Sequence, residues 1–256
     1  LSMSYNVFRI PKRNGKFRII EEPDPELKSQ QNSALAEFEE SSMMQPSEYA
    51  HAFIKERSIV TMAENHVGKN FVGCCDIEDF FPSITRRKLS MKIHSGVLTS
   101  CIGICVHDFG DGKGQRLPQG TPTSPYLSNI YLYDFDHTIA RIANEHEVTY
   151  TRYADDLVFS GDRRADIEYL LNRSKQLLWD VYDLKVHPKK TKIMHKSQRQ
   201  MVCGVVVNEK LNTPREKRKN LRAEVHQQVI AGAEKLNRRT TGKLAFQNMV
   251  MRRNYA

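Results

Sequence analysis

Asp155 and Asp156 stand side by side, and Asp76 lies near the end of a short apolar run from Phe71 to Ile77. Carboxylates held close together raise each other's pKa, and a divalent cation removes that cost. Hard oxygen donors with no Cys or His companions select Mg²⁺ or Mn²⁺ over zinc. Two such ions can activate an attacking hydroxyl and stabilise the oxygens of a departing phosphate. An Asp-Asp pair taken alone is equally an ordinary polar turn, so its surroundings must decide its meaning.

The flanks favour a built site. Val148–Tyr153 alternates like a strand and Leu157–Ser160 resumes one, which places Ala154-Asp155-Asp156 at the turn between two extended arms. Phe71–Ile77 reads as a neighbouring strand that brings in Asp76. Upstream, Val7–Ile20 reads as a hairpin turning at Arg13-Asn14-Gly15-Lys16, and Leu27–Glu40 as a helix. Ser41–Ser47 reads as a loop, Thr61–Val67 as a helix, and a further helix starts at Thr85. A long helix is expected from Ser128 to about Glu145. Ile167, Leu170, Leu171, Ser174, Leu177, Leu178 and Val181 trace one face of another. Leu184–His187 and Met201–Val207 read as strands on either side of a lysine-rich bend. This order predicts an α+β fold, an antiparallel sheet with helices on one side.

Competing chemistries are weakly encoded. The histidines are scattered and read as structural or surface residues. Gly110-Asp111-Gly112-Lys113-Gly114 has neither Rossmann nor P-loop spacing and reads as a tight turn. Five cysteines, at 74, 75, 101, 105 and 203, form no secreted disulfide pattern and no zinc-ligand pattern, and read as reduced thiols of a cytoplasmic protein. No apolar run is long enough to span a membrane, and Leu1–Ile10 reads as neither a signal nor a transit peptide.

The 256 residues carry a formal charge of +9, and its distribution matters more than its size. From Leu211 onward eleven Lys/Arg stand against three Asp/Glu, which leaves only +1 for the other 210 residues. A helix is expected there, with Thr213, Pro214 and Glu216 as its capping box and Leu221, Val225, Val229, Ala233 and Leu236 as its apolar stripe. Arg215, Lys217, Arg218, Lys219 and Arg222 crowd its first turns against the helix dipole, a placement that suits phosphate contact.

Three longer motifs then agree in order and spacing. Tyr153-Ala154-Asp155-Asp156 resembles the catalytic YxDD box of reverse transcriptases. Asp76-Ile77-Glu78-Asp79-Phe80-Phe81-Pro82-Ser83-Ile84 resembles that family's first catalytic motif. Leu117-Pro118-Gln119-Gly120-Thr121-Pro122-Thr123-Ser124-Pro125, followed by Leu127-Ser128-Asn129, resembles the next, and the similarity runs from about Phe8 to Phe246. Bacterial enzymes, especially those of retrons, carry a segment like His51–Ile59. Their Asn-Ala-x-x-His and Val-Thr-Gly elements correspond to Met62-Ala63-Glu64-Asn65-His66 and Val202-Cys203-Gly204, each with one departure.

The resemblance implies a right-hand polymerase fold. Fingers would span 1–70, palm 71–85, a fingers/palm connection 86–118, palm again 119–210, and a basic helical thumb 211–256, which reads as incomplete. It implies RNA-directed DNA synthesis from a DNA or RNA primer with deoxynucleoside triphosphates, dependent on Mg²⁺ or Mn²⁺ held by Asp76, Asp155 and Asp156. Phe81 would exclude the ribose 2′-hydroxyl, Gln119 and Gly120 would line the incoming nucleotide and template, and Lys12 and Arg18 would reach its phosphates. Lys189, Lys190 or Lys192 would serve the departing pyrophosphate. Cys203 and Gly204 would belong to the primer grip, and the basic thumb would hold an RNA/DNA duplex. A cognate structured noncoding RNA and an effector protein are further expected partners; a membrane is not. Two alternatives stay open: a group II intron-like or phage-defence reverse transcriptase, and an inactive RNA-binding protein of the same fold.

Overall fold

The computed structural model describes residues 4–12, 15, 17–93, 96–231 and 235–254. Arg13, Asn14 and Lys16 of the expected turn, and Ala233 of the expected stripe, lie outside them. The hairpin itself is present: β1 (Tyr5–Pro11) pairs antiparallel with β2 (Phe17–Pro23). Asp24 then caps α1 (Pro25–Glu40), its Oδ1 accepting from Leu27 N at 2.8 Å.

The stretch with little sequence pattern before Ile59 is ordered by polar contacts. Arg57 Nη1 donates to the carbonyls of Ser47, Glu48 and Ala50, at 2.8, 3.2 and 2.6 Å. Ser58 and Thr61 form a reciprocal capping box that starts α2 (Ile59–Glu64). After β3 (Phe71–Asp76) come three helices, α3 (Phe80–Ser83), α4 (Arg86–Lys92) and α5 (Gly96–Cys105).

The single long helix expected from Ser128 is two, α6 (Thr123–Tyr131) and α7 (Tyr133–Glu145), separated by the buried Leu132. Helix α6 starts earlier than expected because Pro125 falls in its first turn, where a backbone N–H has no partner to lose. β4 (Thr149–Tyr153), β5 (Asp156–Gly161) and α8 (Arg164–Tyr182) match the sequence reading.

Leu184–His187 is not a strand of its own. Only Val186 bridges, to Ile77, while His187 N donates to Asp76 O and Glu78 N to Lys185 O. The true strand lies within the lysine-rich bend, as β6 (Lys192–His195). Met201–Val207 divides into a tight hairpin of β7 (Met201–Val202) and β8 (Val205–Val206). Cys203 and Gly204 are its two turn residues, at φ 44° and 88°, as a two-residue hairpin that follows the strand twist requires.

The C-terminal segment departs further. Helix α9 (Arg215–Ile230) has Pro214 at its N-cap and no capping side chain, and Thr213 Oγ1 is buried without a partner. Asn212 bridges to Val206, and this pairing keeps the chain extended through the residues expected to cap the helix. The apolar stripe also fails. Leu221 is buried, but Val229 is 62% exposed, α9 ends at Ile230 before the stripe's last residue Leu236, and a second helix, α10 (Arg238–Arg252), follows.

The central sheet is antiparallel with order β4-β5-β3-β6. Strand alternation gives it two faces. Cys75, Leu157, Phe159 and Tyr150 join the larger core with α7 and α8, whereas Val72, Cys74, Val158 and Met194 join a smaller core with α2 and the β7–β8 hairpin.

Candidate active site

The period of the strands places the carboxylates. Val72, Cys74 and Asp76 share a face of β3, and Asp76 lies directly opposite Asp156 in the β3–β5 register. Tyr153 pairs with Asp156, which leaves Ala154 and Asp155 as the two residues of the β4–β5 turn. Ala154 has φ 54°, at the first central position where glycine is usual. Asp155 O accepts from Ile77 N at 2.9 Å and fastens the turn to the end of β3.

Burial, then Asp156 and Asp76, push the Asp155 carboxyl up to about 6. Burial and the charge of Asp76 raise Asp156 as well. Lys190 Nζ lies 2.7 Å from both oxygens of Asp76. Burial works against that ammonium, but its contacts with Asp76 and the charges of Asp155 and Asp156 outweigh it and raise its pKa. Of the three candidate lysines, Lys190 is the one that pairs directly with a carboxylate, while the charge of Lys192 also acts on Asp156. Lys192 is exposed on β6 in register with Cys74, and Lys189 is exposed in the preceding turn. Cys203 Sγ adds a long contact to Asp156 Oδ2 at 3.7 Å. Among the described residues no three His, Cys, Asp or Glu side chains already converge as a metal-ligand set.

A buried polar network sits beneath this turn. Arg152, fully buried, donates from Nε and Nη2 to the two oxygens of Asp136, at 2.8 and 2.7 Å. Its Nη1 donates to Asn129 Oδ1 and to Ala154 O, both at 3.0 Å, so the guanidinium grips the turn residue itself. Tyr150 OH also donates to Asp136, and Asn129 Nδ2 to Ala52 O. On the carboxylate face, His66 bridges β4 and β5 through Thr151 Oγ1 and Ser160 Oγ, both at 2.7 Å. These positioning residues were absent from the sequence candidates. A signal existed: Asp136 is a charge within the apolar stripe Phe135, Ile139, Ala140 and Ala143, and Arg152 is a charge within an otherwise uncharged strand.

The remaining candidates fall into separate groups. Phe81 is half-buried beside Phe80 and Phe53, with ring centroids 5.4 and 6.2 Å away. Gln119 and Glu21 exchange a double contact: Glu21 N donates to Gln119 O at 2.8 Å, and Gln119 N donates to Glu21 Oε2 at 2.7 Å. Gly120 is needed at this approach, since a Cβ there would lie 2.9 Å from the Ile20 side chain. Lys12, Arg18 and Gln119 line one cavity of about 670 Å³ with Glu78 and Asp79. A Cβ on Gly204 would meet Lys217 Nζ at 3.3 Å, so α9 comes to the β7–β8 turn. Arg218 is held by Asn212 at 2.9 Å, whereas Arg215, Lys219 and Arg222 are exposed.

Residues 10–221 match the family described as reverse transcriptase (RNA-dependent DNA polymerase). The chain is 34% identical to the retron Mx162 reverse transcriptase of Myxococcus xanthus, over 87% of this chain and 52% of that protein. It is also 34% identical to the retron Mx65 enzyme of the same organism, over 96% and 61%, and 31% identical to the retron Ec86 enzyme of Escherichia coli, over 94% and 75%. The chain thus spans about half to three fifths of the length of the two Myxococcus relatives. A telomerase from Candida albicans, solved with a fragment of telomeric RNA, superposes with TM-score 0.57 at 12% identity, over 82% of this chain and 46% of that one. The fold is the right-hand polymerase fold, and the chain belongs to the reverse transcriptase family, in its retron-type bacterial branch.

Proposed function

We propose that the protein is an RNA-directed DNA polymerase of retron type, which adds deoxynucleotides to a primer 3′-hydroxyl by two-metal-ion catalysis. The observation that carries this reading is the meeting of Asp76 and Asp156 in register, with Asp155 in the adjoining turn and Lys190 on Asp76. The donors are all carboxylate oxygens, and burial with mutual repulsion raises two of them, so the set suits a hard divalent ion such as Mg²⁺ or Mn²⁺. When bound, such ions would supply activation of the 3′-hydroxyl and neutralisation of the phosphates.

The protein's own contribution is positioning and charge. Asp76, Asp155 and Asp156 hold the reacting groups in place, and Lys190 donates a proton or a hydrogen bond to the departing pyrophosphate. Lys12 and Arg18 neutralise the triphosphate from the cavity they share with Gln119, while Gln119 and Gly120 bound the nucleotide and template. Phe81 excludes the 2′-hydroxyl. Cys203 and Gly204 support the primer end, where a turn with no Cβ at its second residue admits close approach of a strand. Arg215, Lys217, Lys219 and Arg222 hold duplex phosphates, with Arg218 fixed beneath them.

We assign fingers to 1–70, palm to 71–85 and 119–210 with 86–118 as the fingers/palm connection between them, and the thumb to 211–256. The partners are an RNA template, a DNA or RNA primer, the RNA/DNA duplex and deoxynucleoside triphosphates. Retron membership adds a cognate structured RNA and an effector as partners to seek. The setting we propose is cytoplasmic; among the described residues no helix is long and apolar enough to cross a membrane, and the five cysteines are unpaired.

Primer extension tests the reading. The protein should extend a DNA primer on RNA with deoxynucleotides and Mg²⁺ or Mn²⁺, and EDTA should stop it. Asp155→Asn should lower the rate by more than about 100-fold, with stability unchanged or slightly higher because a repelled charge is gone. Undiminished extension by this variant would sink the metal assignment. RNA binding with no extension on any template would favour an inactive binding protein.

A further inference from the structure

Phe53 combines two features that folding alone does not favour. Its φ is 61°, in the left-handed region where a bulky side chain is rare. Its ring is also 48% exposed, so the strained backbone does not serve to bury it. Strain of this kind persists only where the surroundings fix it, and it clusters at working sites.

The surroundings do fix it. Asn129 Nδ2 donates to Ala52 O at 2.8 Å, and His51 N donates to Arg152 O at 2.8 Å. Arg57 ties three carbonyls of the same loop, and Ala50 and Ala52 are fully buried. Asn129 and Arg152 belong to the network that holds the Ala154-Asp155 turn, so the loop and the turn share their supports. Phe53 is therefore located through the same two residues, Asn129 and Arg152, that hold the carboxylate turn.

Its ring lies 6.2 Å from Phe81 and 6.5 Å from Tyr153. Tyr153 is in register with Asp156, and Asp156 with Asp76. The three aromatic residues thus form an apolar border beside the carboxylates. A flat apolar surface there fits the sugar and base edge of a nucleotide, whereas phosphates would be met by the cations.

Resting on the polymerase reading above, we infer that Phe53 is a specificity-determining residue. Its ring packs on the sugar edge of the nucleotide pair at the carboxylates and holds Phe81 in the orientation that excludes a 2′-hydroxyl.

Three variants test this in steady-state single-nucleotide insertion: Phe53→Gly, Phe53→Ala and Phe53→Tyr. Gly keeps the left-handed backbone without strain. The expected result for Phe53→Gly is a rise in deoxynucleotide KM and a fall in selectivity over ribonucleotides, each about fivefold, with a smaller change in kcat. Its melting midpoint should stay within about 2 °C of wild type, because relief of backbone strain offsets the lost ring contacts. Phe53→Ala should lose selectivity equally and melt lower, since it keeps the strain. Phe53→Tyr should retain wild-type selectivity. Unchanged KM and selectivity in both truncations would overturn the proposal, as would losses that track melting temperature across the series. Wild-type extension carries the polymerase reading and ribonucleotide insertion by Phe81→Val the gate, so a failure at Phe53 would leave both standing.

Discussion

The β4–β5 turn and the α9–α10 helix pair are both proposed above to meet phosphates, yet they are built in opposite ways. The turn is backed by a guanidinium with all three nitrogens engaged, by His66 bridging two strands, and by a backbone bond to the end of β3. The helix pair buries little: Leu221 from α9, with Thr240 and Val250 from α10. Its internal ties are polar, with Lys243 on Glu224 at 2.7 Å and Gln228 on Thr240 at 2.7 Å. Phosphoryl transfer needs reacting atoms held to a fraction of an ångström. Holding duplex phosphates needs charge within reach and tolerates movement. On the polymerase reading, the rigidity lies where the first requirement applies.

The largest expected effect comes from breaking the rigid half. Arg152→Met leaves Asp136 buried and unpaired, and truncating one partner of a buried ion pair costs about 3–5 kcal/mol. Adding Asp136→Asn removes the stranded charge and should recover part of that loss. Urea denaturation measures both. A cost below about 1 kcal/mol for Arg152→Met would mean the turn does not depend on the network.

How much of this was legible in the sequence depends on how far apart the partners lie. Strand alternation around Asp155-Asp156 is local, and the sheet there formed as read. Arg152, Asp136 and Asn129 belong to three separate elements, so their convergence is written only in the tertiary fold. The same reason explains the failed cap of α9. Thr213, Pro214 and Glu216 satisfy the local rule, but the Asn212–Val206 pairing holds the preceding chain extended. Lys190 was separable from Lys189 and Lys192 only once β6 was seen to start at Lys192, leaving Lys190 in the turn against β3. The break between α9 and α10 had a local signal in Gly232 and in Asn237, which caps α10, but the apolar residues at 221, 225 and 229 kept helical spacing and masked it.

A second, smaller effect follows from His66. Burial, then His51 and Lys69, lower its pKa to about 3, from an ordinary 6.5. Between those values the unfolded chain takes a proton that the folded one refuses, so this contribution to stability falls as pH drops below 6.5. At pH 5 the loss should be about 2 kcal/mol, at 1.36 kcal/mol per pH unit. His66→Gln removes the titrating group along with two hydrogen bonds. It should be less stable at pH 7, with the gap to wild type narrowing by about 2 kcal/mol at pH 5. His51, lowered to about 4 chiefly by burial, titrates in both proteins and cancels from the difference. A gap that does not change with pH would rule out a neutral, buried His66 as a brace of the turn.

The smallest effect on the protein itself should come from the helix pair, where the readout is the ligand. Lys219→Gln with Arg222→Gln removes two exposed charges from α9. Because exposed charges away from buried features matter little to folding, stability should change by less than about 0.5 kcal/mol. Duplex binding should respond instead. Each neutralised phosphate contributes about 0.9 to the slope of log affinity against log salt on B-form DNA, so the double variant should lose between about 1 and 2 of that slope. Affinity should fall several-fold at low salt and converge with wild type at high salt, since counterion release supplies the interaction. Arg218→Gln provides the contrast within one helix. Its guanidinium is tied to Asn212, so it should cost about 1 kcal/mol of stability for the lost hydrogen bond and change the slope little. If the exposed pair left the salt dependence untouched, these residues would be a solvated face, and the duplex would have to be held elsewhere.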